Sequence, residues 1–349
     1  MSKLFEPLQV GAYTIPNRII MAPLTRSRAG SSRIPNDLMA KYYEQRAGAG
    51  LILTEATAVH PSGVGYANTP GIWSHEQIEG WKKITKAVHD KGGKIFMQLW
   101  HVGRISDPMF LNGELPVAPS AIAATGHISL VRPQKSFVTP RALRTEEIPM
   151  IVEYFRHGAQ NALQAGFDGV ELHGANGYLL DQFLQDGTNK RTDQYGGSIE
   201  NRARFPLEIL DSVISVWGAD KVGYHISPRS DSHGITDSNL LATFSYLAQE
   251  LGKRKIAFIF AREFQDHNSI GAKIKKAFGG VYIANEKFTR EGAEAIVEKG
   301  DADAVAFGLN FIANPDLVNR FRENAPINQV NFGTLYAEGE SGYTDYPSL

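Results

Sequence analysis

Cysteine is absent from the 349 residues, which removes disulfides, thiolate nucleophiles, cysteine-ligated zinc and iron–sulfur clusters together. A surplus of charge is absent too: 36 Lys and Arg against 37 Asp and Glu leave a formal net charge of −1. Such a chain has no long-range field to hold a phosphate backbone or an anionic bilayer, so neither a nucleic-acid nor a membrane partner is expected. No apolar run reaches the roughly 18 residues that cross a bilayer. The start, Met1-Ser2-Lys3-Leu4-Phe5-Glu6-Pro7, lacks the apolar stretch of a signal peptide; a cytoplasmic location is the expectation. No low-complexity tract divides the chain, and 42% hydrophobic with 21% charged residues is a globular composition. Length alone admits one domain or two; one domain over 1–349 is expected.

What the sequence does have is a recurring unit of a short β-rich apolar run, a turn and a helical stretch. Eight such runs fall at 18–25, 50–56, 94–100, 169–173, 222–227, 257–262, 281–285 and 304–308. Helical patterns follow several of them, at 37–46, 75–91, 146–165, 199–216, 238–251 and 289–299. Strands alternating with helices imply a parallel sheet, and eight units in this length fit a (β/α)8 TIM barrel. A doubly wound open sheet is the rival, but no run leads into G-x-G-x-x-G, and Gly48-Ala49-Gly50 precedes its strand. Period-two alternation puts Gly169, Glu171 and His173 on one face and Val170 and Leu172 on the other. Likewise Phe96, Gln98 and Trp100 oppose Ile95, Met97 and Leu99, and Gly223, His225 and Ser227 oppose Val222, Tyr224 and Ile226. The apolar sets then face the helices and the small or polar sets face the barrel axis. The connection 101–145 carries Pro108, Pro116, Pro119, Pro133 and Pro140 and reads as a lid or binding loop, or as a plain cover. Residues 320–349 read as a C-terminal tail.

The densest polar cluster is Glu171-Leu172-His173-Gly174-Ala175-Asn176-Gly177-Tyr178. His173 and Asn176 present N–H donors suited to an oxygen on which negative charge develops, each worth about 2.7–4 kcal/mol in a transition state. Tyr178, with an ordinary pKa of about 10, is a proton donor at neutral pH. A hydrogen-bonded turn around one satisfied histidine is the structural alternative. Thr25, Gln98, His101 and His225 add donors at other strand ends. Three strand-end imidazoles also admit a zinc hydrolase, yet H-x-H and H-E-x-x-H are missing and no carboxylate stands ready as base; no metal is expected. No Lys occupies the C-terminal half of a strand, against a Schiff-base aldolase. The last two strands end in Ala284-Asn285-Glu286 and Gly308-Leu309-Asn310, where barrels of this kind often seat a phosphate.

With these residues in view, the chain resembles the old yellow enzyme family of flavin-dependent ene reductases, in particular its bacterial N-ethylmaleimide and xenobiotic reductase branch. The likeness runs through 17–26, Thr54-Glu55-Ala56-Thr57, 98–104, 171–184, 191–198, Glu200-Asn201-Arg202, 311–317 and 343–347. The resemblance implies tightly bound FMN and ping-pong turnover. A nicotinamide, usually NADPH with NADH as the other option, gives hydride to flavin N5. An electrophilic alkene, conjugated to a carbonyl, maleimide or nitro group, then takes hydride at one carbon and a proton at the other. His173 and Asn176 match the pair that holds the activating oxygen, and Tyr178 matches the proton donor. Thr25 matches the residue that contacts flavin O4. Pro23, Leu24, Ala56 and Gln98 match the pocket along the ring edge, and Tyr66 and Trp100 match residues near the substrate. Two departures stand out. His225 replaces an arginine common beside flavin N1 and O2, and Leu309 replaces an arginine that pairs with the FMN phosphate. The phosphate would then rest on backbone around Ala284, Asn285, Gly308 and Leu309. A titrating His225 would make the flavin potential vary with pH between about 6 and 8. A flavin-bound barrel with little turnover is the alternative from another class, and the assembly is left as monomer or homo-oligomer.

Overall fold

Alternation along the strands sorts the core into two shells. In the computed structural model, which describes residues 2–349, Ile95, Met97, Leu99, Val170, Leu172, Val222, Tyr224 and Ile226 belong to the large outer core. Ile20, Leu51, Leu53, Phe96, Phe258, Phe260 and Ile283 form a separate inner cluster. Val10 and Ile15, from the hairpin strands Leu8–Val10 and Tyr13–Ile15, join that inner cluster, so the hairpin closes one end of it.

The barrel strands are Ile19–Met21, Ile52–Leu53, Ile95–Trp100, Gly169–His173, Val222–Ile226, Phe258–Arg262, Tyr282–Asn285 and Ala304–Phe307. Each pairs in parallel with the next. Ala306 of the eighth then lies opposite Ile20 of the first. That last pairing closes the sheet. It rules out the doubly wound alternative and gives the (β/α)8 barrel. The register sets His225 opposite both His173 and Phe260, which places three strands' functional positions at one level.

The six helical patterns appear as Asp37–Glu44, His75–Asp90, Ile148–Gln164, Ile199–Trp217, Leu240–Lys253 and Arg290–Lys299. Asn36, Ser74, Ser198, Asn239 and Thr289 cap five of them by accepting backbone N–H bonds. A helix at Gly271–Phe278, outside the expected set, has no side-chain cap and begins on glycine, so no start signal marked it. Within the long connection, Val117–Ala118 pairs with Arg141–Ala142. Its Ala124, Ile128 and Phe137 pack with Trp100, Val102 and Ile105, with Tyr66 and Tyr178 against them. The insertion therefore roofs one side of the mouth.

The tail is held by the segment that follows the first strand. Arg26 Nη2 donates to Gly342 O at 2.6 Å and Arg28 Nη1 to Leu335 O at 2.6 Å. Tyr343 is fully buried and stacks on Tyr42, with centroids 4.1 Å apart and planes 6° from parallel. Its hydroxyl has no hydrogen-bond partner. Tyr343→Ala is therefore expected to lower stability by about 3–5 kcal/mol, the range for large aromatic-to-alanine changes in cores. Tyr343→Phe should cost nothing, because it removes only an unsatisfied hydroxyl. Urea denaturation of both variants checks this; equal losses in the two would show that the ring is not what anchors the tail.

Candidate active site

The turn after the fourth strand is shaped by small residues and a left-handed asparagine. A Cβ on Gly174 would stand 2.3 Å from the Tyr224 ring, so only glycine lets the chain leave the strand there. Asn176 sits at φ +57°, a conformation that Asn tolerates better than most residues. Its backbone N–H donates to Ser227 Oγ at 2.7 Å, and Gly177 N–H donates to Asp181 Oδ2 at 2.9 Å. Tyr178 then stands at the N-terminal boundary of the helix Leu179–Leu184, its side chain making no capping bond.

These bonds bring the expected residues together. The His173 and His225 rings are stacked, 4.9 Å apart and 7° from parallel. Tyr178 meets His173 edge-on at 4.9 Å and Trp100 at 5.0 Å. The Tyr178 and Tyr66 hydroxyls share a 2.8 Å hydrogen bond, and Tyr66 stacks on Trp100 at 5.4 Å. Beneath them Gln98 Nε2 donates to Glu171 Oε2 at 2.7 Å and lies 3.0 Å from His225 Nδ1. With Gln98 donating to both, neutral His225 carries its proton on Nε2.

Burial governs the protonation of this layer. It pushes Glu171 up to about 8 against the opposing Gln98 bond, so this carboxyl is protonated at neutral pH. Burial, with a smaller contribution from Arg262, lowers His173 to about 3. His225 is held well below its ordinary 6.5 by burial first, then by His173 and Arg262. Burial raises Tyr66 to about 12 and Tyr178 well above 10. The expectation that His225 titrates between pH 6 and 8 is thus corrected: in this structure it is neutral throughout that window.

Beside the aromatic group opens a cavity of about 430 Å3. Of the expected cofactor residues, Pro23, Leu24, His225, Asn285, Gly308 and Leu309 line it, and Asn176 links it to the substrate group. Thr25 follows Leu24, half-buried, in a segment whose next residue, Arg26, donates its N–H to buried Glu55 at 3.2 Å. Ala56 and Gln98 are buried outside the lining. The Ala284 side chain belongs to the outer core, because strand alternation turns it toward the helices, so only its backbone is available to the phosphate role expected of it. The zinc ligand set does not assemble either. His101 Nδ1 accepts from Gly103 N–H at 3.1 Å and its Nε2 lies 3.3 Å from Ser62 Oγ. Among the described residues no three His, Asp or Glu form a metal-sized group.

Two charged lining residues escaped the sequence reading, Arg262 and Lys287, and Glu286 was placed there only as part of a strand-end turn. The signal for Arg262 was present, since it shares inward parity with Phe258 and Phe260. Tyr336 of the tail was also missed; it stands near enough to raise both Tyr66 and Tyr178. The residues fit a flat heteroaromatic cofactor. His173 Nδ1, His225 Nε2 and Trp100 Nε1 are buried without partners, and apolar walls from Pro23, Leu24 and Phe260 line the cavity that His225 shares.

Comparison with known proteins agrees with that fit. The NADH:flavin oxidoreductase / NADH oxidase family matches residues 3–328. A Leishmania infantum protein described as a probable flavin mononucleotide-dependent alkene reductase is 44% identical over 355 residues, covering 99% of this chain and 97% of that protein. The old yellow enzyme homologue of Zymomonas mobilis superposes with a TM-score of 0.97 at 44% identity, covering 99% of each chain. The chain belongs to the old yellow enzyme family. It is an FMN-dependent oxidoreductase of that type. Morphinone reductase, another structure of this fold, has a TM-score of 0.96 at 47% identity over 100% of this chain and 96% of its own. The 12-oxophytodienoate reductase 1 of Oryza sativa subsp. japonica is 43% identical over 360 residues, 99% of this chain and 93% of that protein.

The buried layer of this family member makes stability depend on pH. Glu171 at about 8, and Glu55 and Asp181 at about 7, bind protons more tightly folded than unfolded. Their contribution is present below the ordinary carboxyl range and lost as pH rises through those values. His101 and His173, both near 3 when folded, act oppositely, contributing above 6.5 and losing it as pH falls toward 3. The two sets oppose each other below about pH 6.5. Above about pH 7 the unfolded histidines have lost most of their protons and the carboxyls dominate the change, so the melting temperature of flavin-free protein should fall from pH 7 to 8. Glu171→Gln should flatten the fall. An unchanged slope in that variant would mean Glu171 is ionised in the folded protein.

Proposed function

We propose that this chain reduces the activated C=C bond of α,β-unsaturated carbonyl, maleimide or nitro compounds in a ping-pong cycle. The proposed hydride donor is NADPH, with NADH as the competing donor, since a 48% identical neighbour, morphinone reductase, was solved in complex with tetrahydroNAD. The observation that carries the reading is the meeting of two neutral donors, His173 and Asn176, with the buried Tyr178 phenol beside the cavity. FMN, when bound, supplies hydride acceptance from the nicotinamide and hydride donation to the alkene. Pro23, Leu24, Thr25, Ala56, Gln98 and His225 would hold its ring. Backbone at Ala284, Asn285, Gly308 and Leu309 would hold its phosphate, Leu309 offering no side-chain charge.

The roles of the chain's own groups follow from their protonation. His173, neutral down to about pH 3, donates a hydrogen bond to the substrate oxygen without bringing a positive charge. Asn176 Oδ1 is occupied by Arg262 Nη1 at 3.0 Å, which leaves its NH2 to donate to the same oxygen. Both bonds strengthen as charge builds on that oxygen. Tyr178, raised well above 10, keeps its proton at neutral pH and releases it only to a strongly basic carbon. The Tyr66 hydroxyl, 2.8 Å away, can donate to the phenolate oxygen that remains. Tyr66, Trp100 and the 101–145 roof exclude water from that step.

The purified protein should be yellow, bleach anaerobically with NADPH or NADH, and recover its colour on adding 2-cyclohexenone. Yellow protein that bleaches without enone-driven recovery would overturn the proposal. Tyr178→Phe should slow enone-dependent reoxidation by about 10²-fold or more, the usual scale for loss of a general acid. Its bleaching by the nicotinamide should stay within about twofold of wild type, because that step needs no proton from Tyr178. Stopped-flow measurement of the two half-reactions decides; an equal loss in both would make Tyr178 a structural residue.

A further inference from the structure

Charge is unevenly placed around the cavity. Among the described lining side chains, Arg262 and Lys287 are the cations and Glu286 is the acid. Lys287 is exposed, its ammonium 5.5 Å from the ring centre of Phe264, which is not part of the wall. Arg262 ends the sixth barrel strand on the inward parity of Phe260, and Phe260 lies directly opposite His225 in register. Its guanidinium therefore enters the cavity one layer above His225, nearer the mouth. There Nη1 donates to Asn176 Oδ1 at 3.0 Å and Nε donates to Glu286 Oε2 at 2.6 Å. Nη2 makes no hydrogen bond to the described residues, and the side chain is 40% exposed. Glu286 itself is held at φ +113°, a backbone region that side-chain-bearing residues rarely adopt, so the turn is bent to set its carboxylate against the arginine.

Adding two electrons to a flavin leaves negative charge on its pyrimidine ring at neutral pH, and a nearby cation favours that form over the oxidised one. His225 is an unsuitable source of that charge, because it lies buried against a second imidazole and the Arg262 guanidinium. We propose that Arg262 is the cation this chain presents to reduced FMN, with Glu286 as its counter-ion, and that the same guanidinium fixes the Asn176 amide with its NH2 toward the substrate oxygen. One side chain thereby joins the charge state of the cofactor site to the group that polarises the substrate. This rests on the FMN-dependent reading above and extends it to a residue from the neighbouring strand.

The test uses flavin-loaded wild type, Arg262→Gln, Arg262→Lys and Glu286→Gln, with two readouts besides turnover. The first is the FMN midpoint potential by equilibration with reference dyes. Arg262→Gln should lose at least about tenfold in preference for reduced over oxidised FMN, a drop of about 30 mV for a two-electron couple. Glu286→Gln should shift the potential upward, because the guanidinium no longer shares its charge. The second readout is the Kd of 4-hydroxybenzaldehyde, whose phenolate oxygen probes His173 and Asn176. Arg262→Lys should hold its potential near wild type yet bind the phenol several-fold more weakly, since an ammonium lacks the fork that grips both Asn176 and Glu286. An Arg262→Gln protein that binds FMN with an unchanged potential would overturn the proposal while leaving the flavin reading intact. If that variant does not fold, a Glu286→Gln potential equal to wild type overturns it instead. Wild type unable to take up FMN would overturn both.

Discussion

Desolvation at the C-terminal ends of the barrel strands sets the chemistry of this molecule. Glu171, His173 and His225 would each be at least partly charged in water, and burial makes all three neutral at pH 7. A charge left unpaired in that layer would cost several kcal/mol, so the layer is built from dipoles: an amide, a carboxylic acid, two imidazoles and two phenols. Against so neutral a background one guanidinium matters more than it would at a surface. Arg262 stands at the edge of that layer, already joined to Asn176 on one side and Glu286 on the other.

The surrounding architecture keeps that layer dry and rigid. Trp100, Tyr66 and Tyr178 form an aromatic wall, and the long connection closes over it through Ala124, Ile128 and Phe137. The C-terminal tail is drawn in by Arg26 and Arg28, which grip its carbonyls. Arg46 holds Phe311 O and Ile312 O at 2.8 Å, fixing the short helix that begins at the cavity. Arginine suits this task because its fork can satisfy several carbonyls at once. Segments far apart in sequence are thus tied to the strand ends that carry the site.

Much of the site was legible from residue parity and spacing. His173, Asn176 and Tyr178 lie within six positions of one another on a strand end and its turn, so local geometry nearly determined their meeting. Pro23, Leu24, Gly308 and Leu309 also fell where the strand ends placed them. Ala284 turns its side chain into the outer core by strand parity, which leaves only its backbone for the role the strand end suggested. Arg262 was overlooked because it closes an apolar run and reads, in one dimension, as a solvent-facing end. His225 was correctly placed in the cavity, yet its protonation could not be inferred from its ordinary pKa, because that depends on what is stacked against it.

The order of eight apolar runs, their alternation and the polar residues at their ends were determined by the sequence, since period two and hydrophobic burial act locally along the chain. The family resemblance carried by its motifs belongs to the same level. Tertiary structure alone decided which groups are neutral and which one is charged. Solvent exclusion and distance between strands are properties of the closed barrel, and no stretch of neighbouring residues contains them.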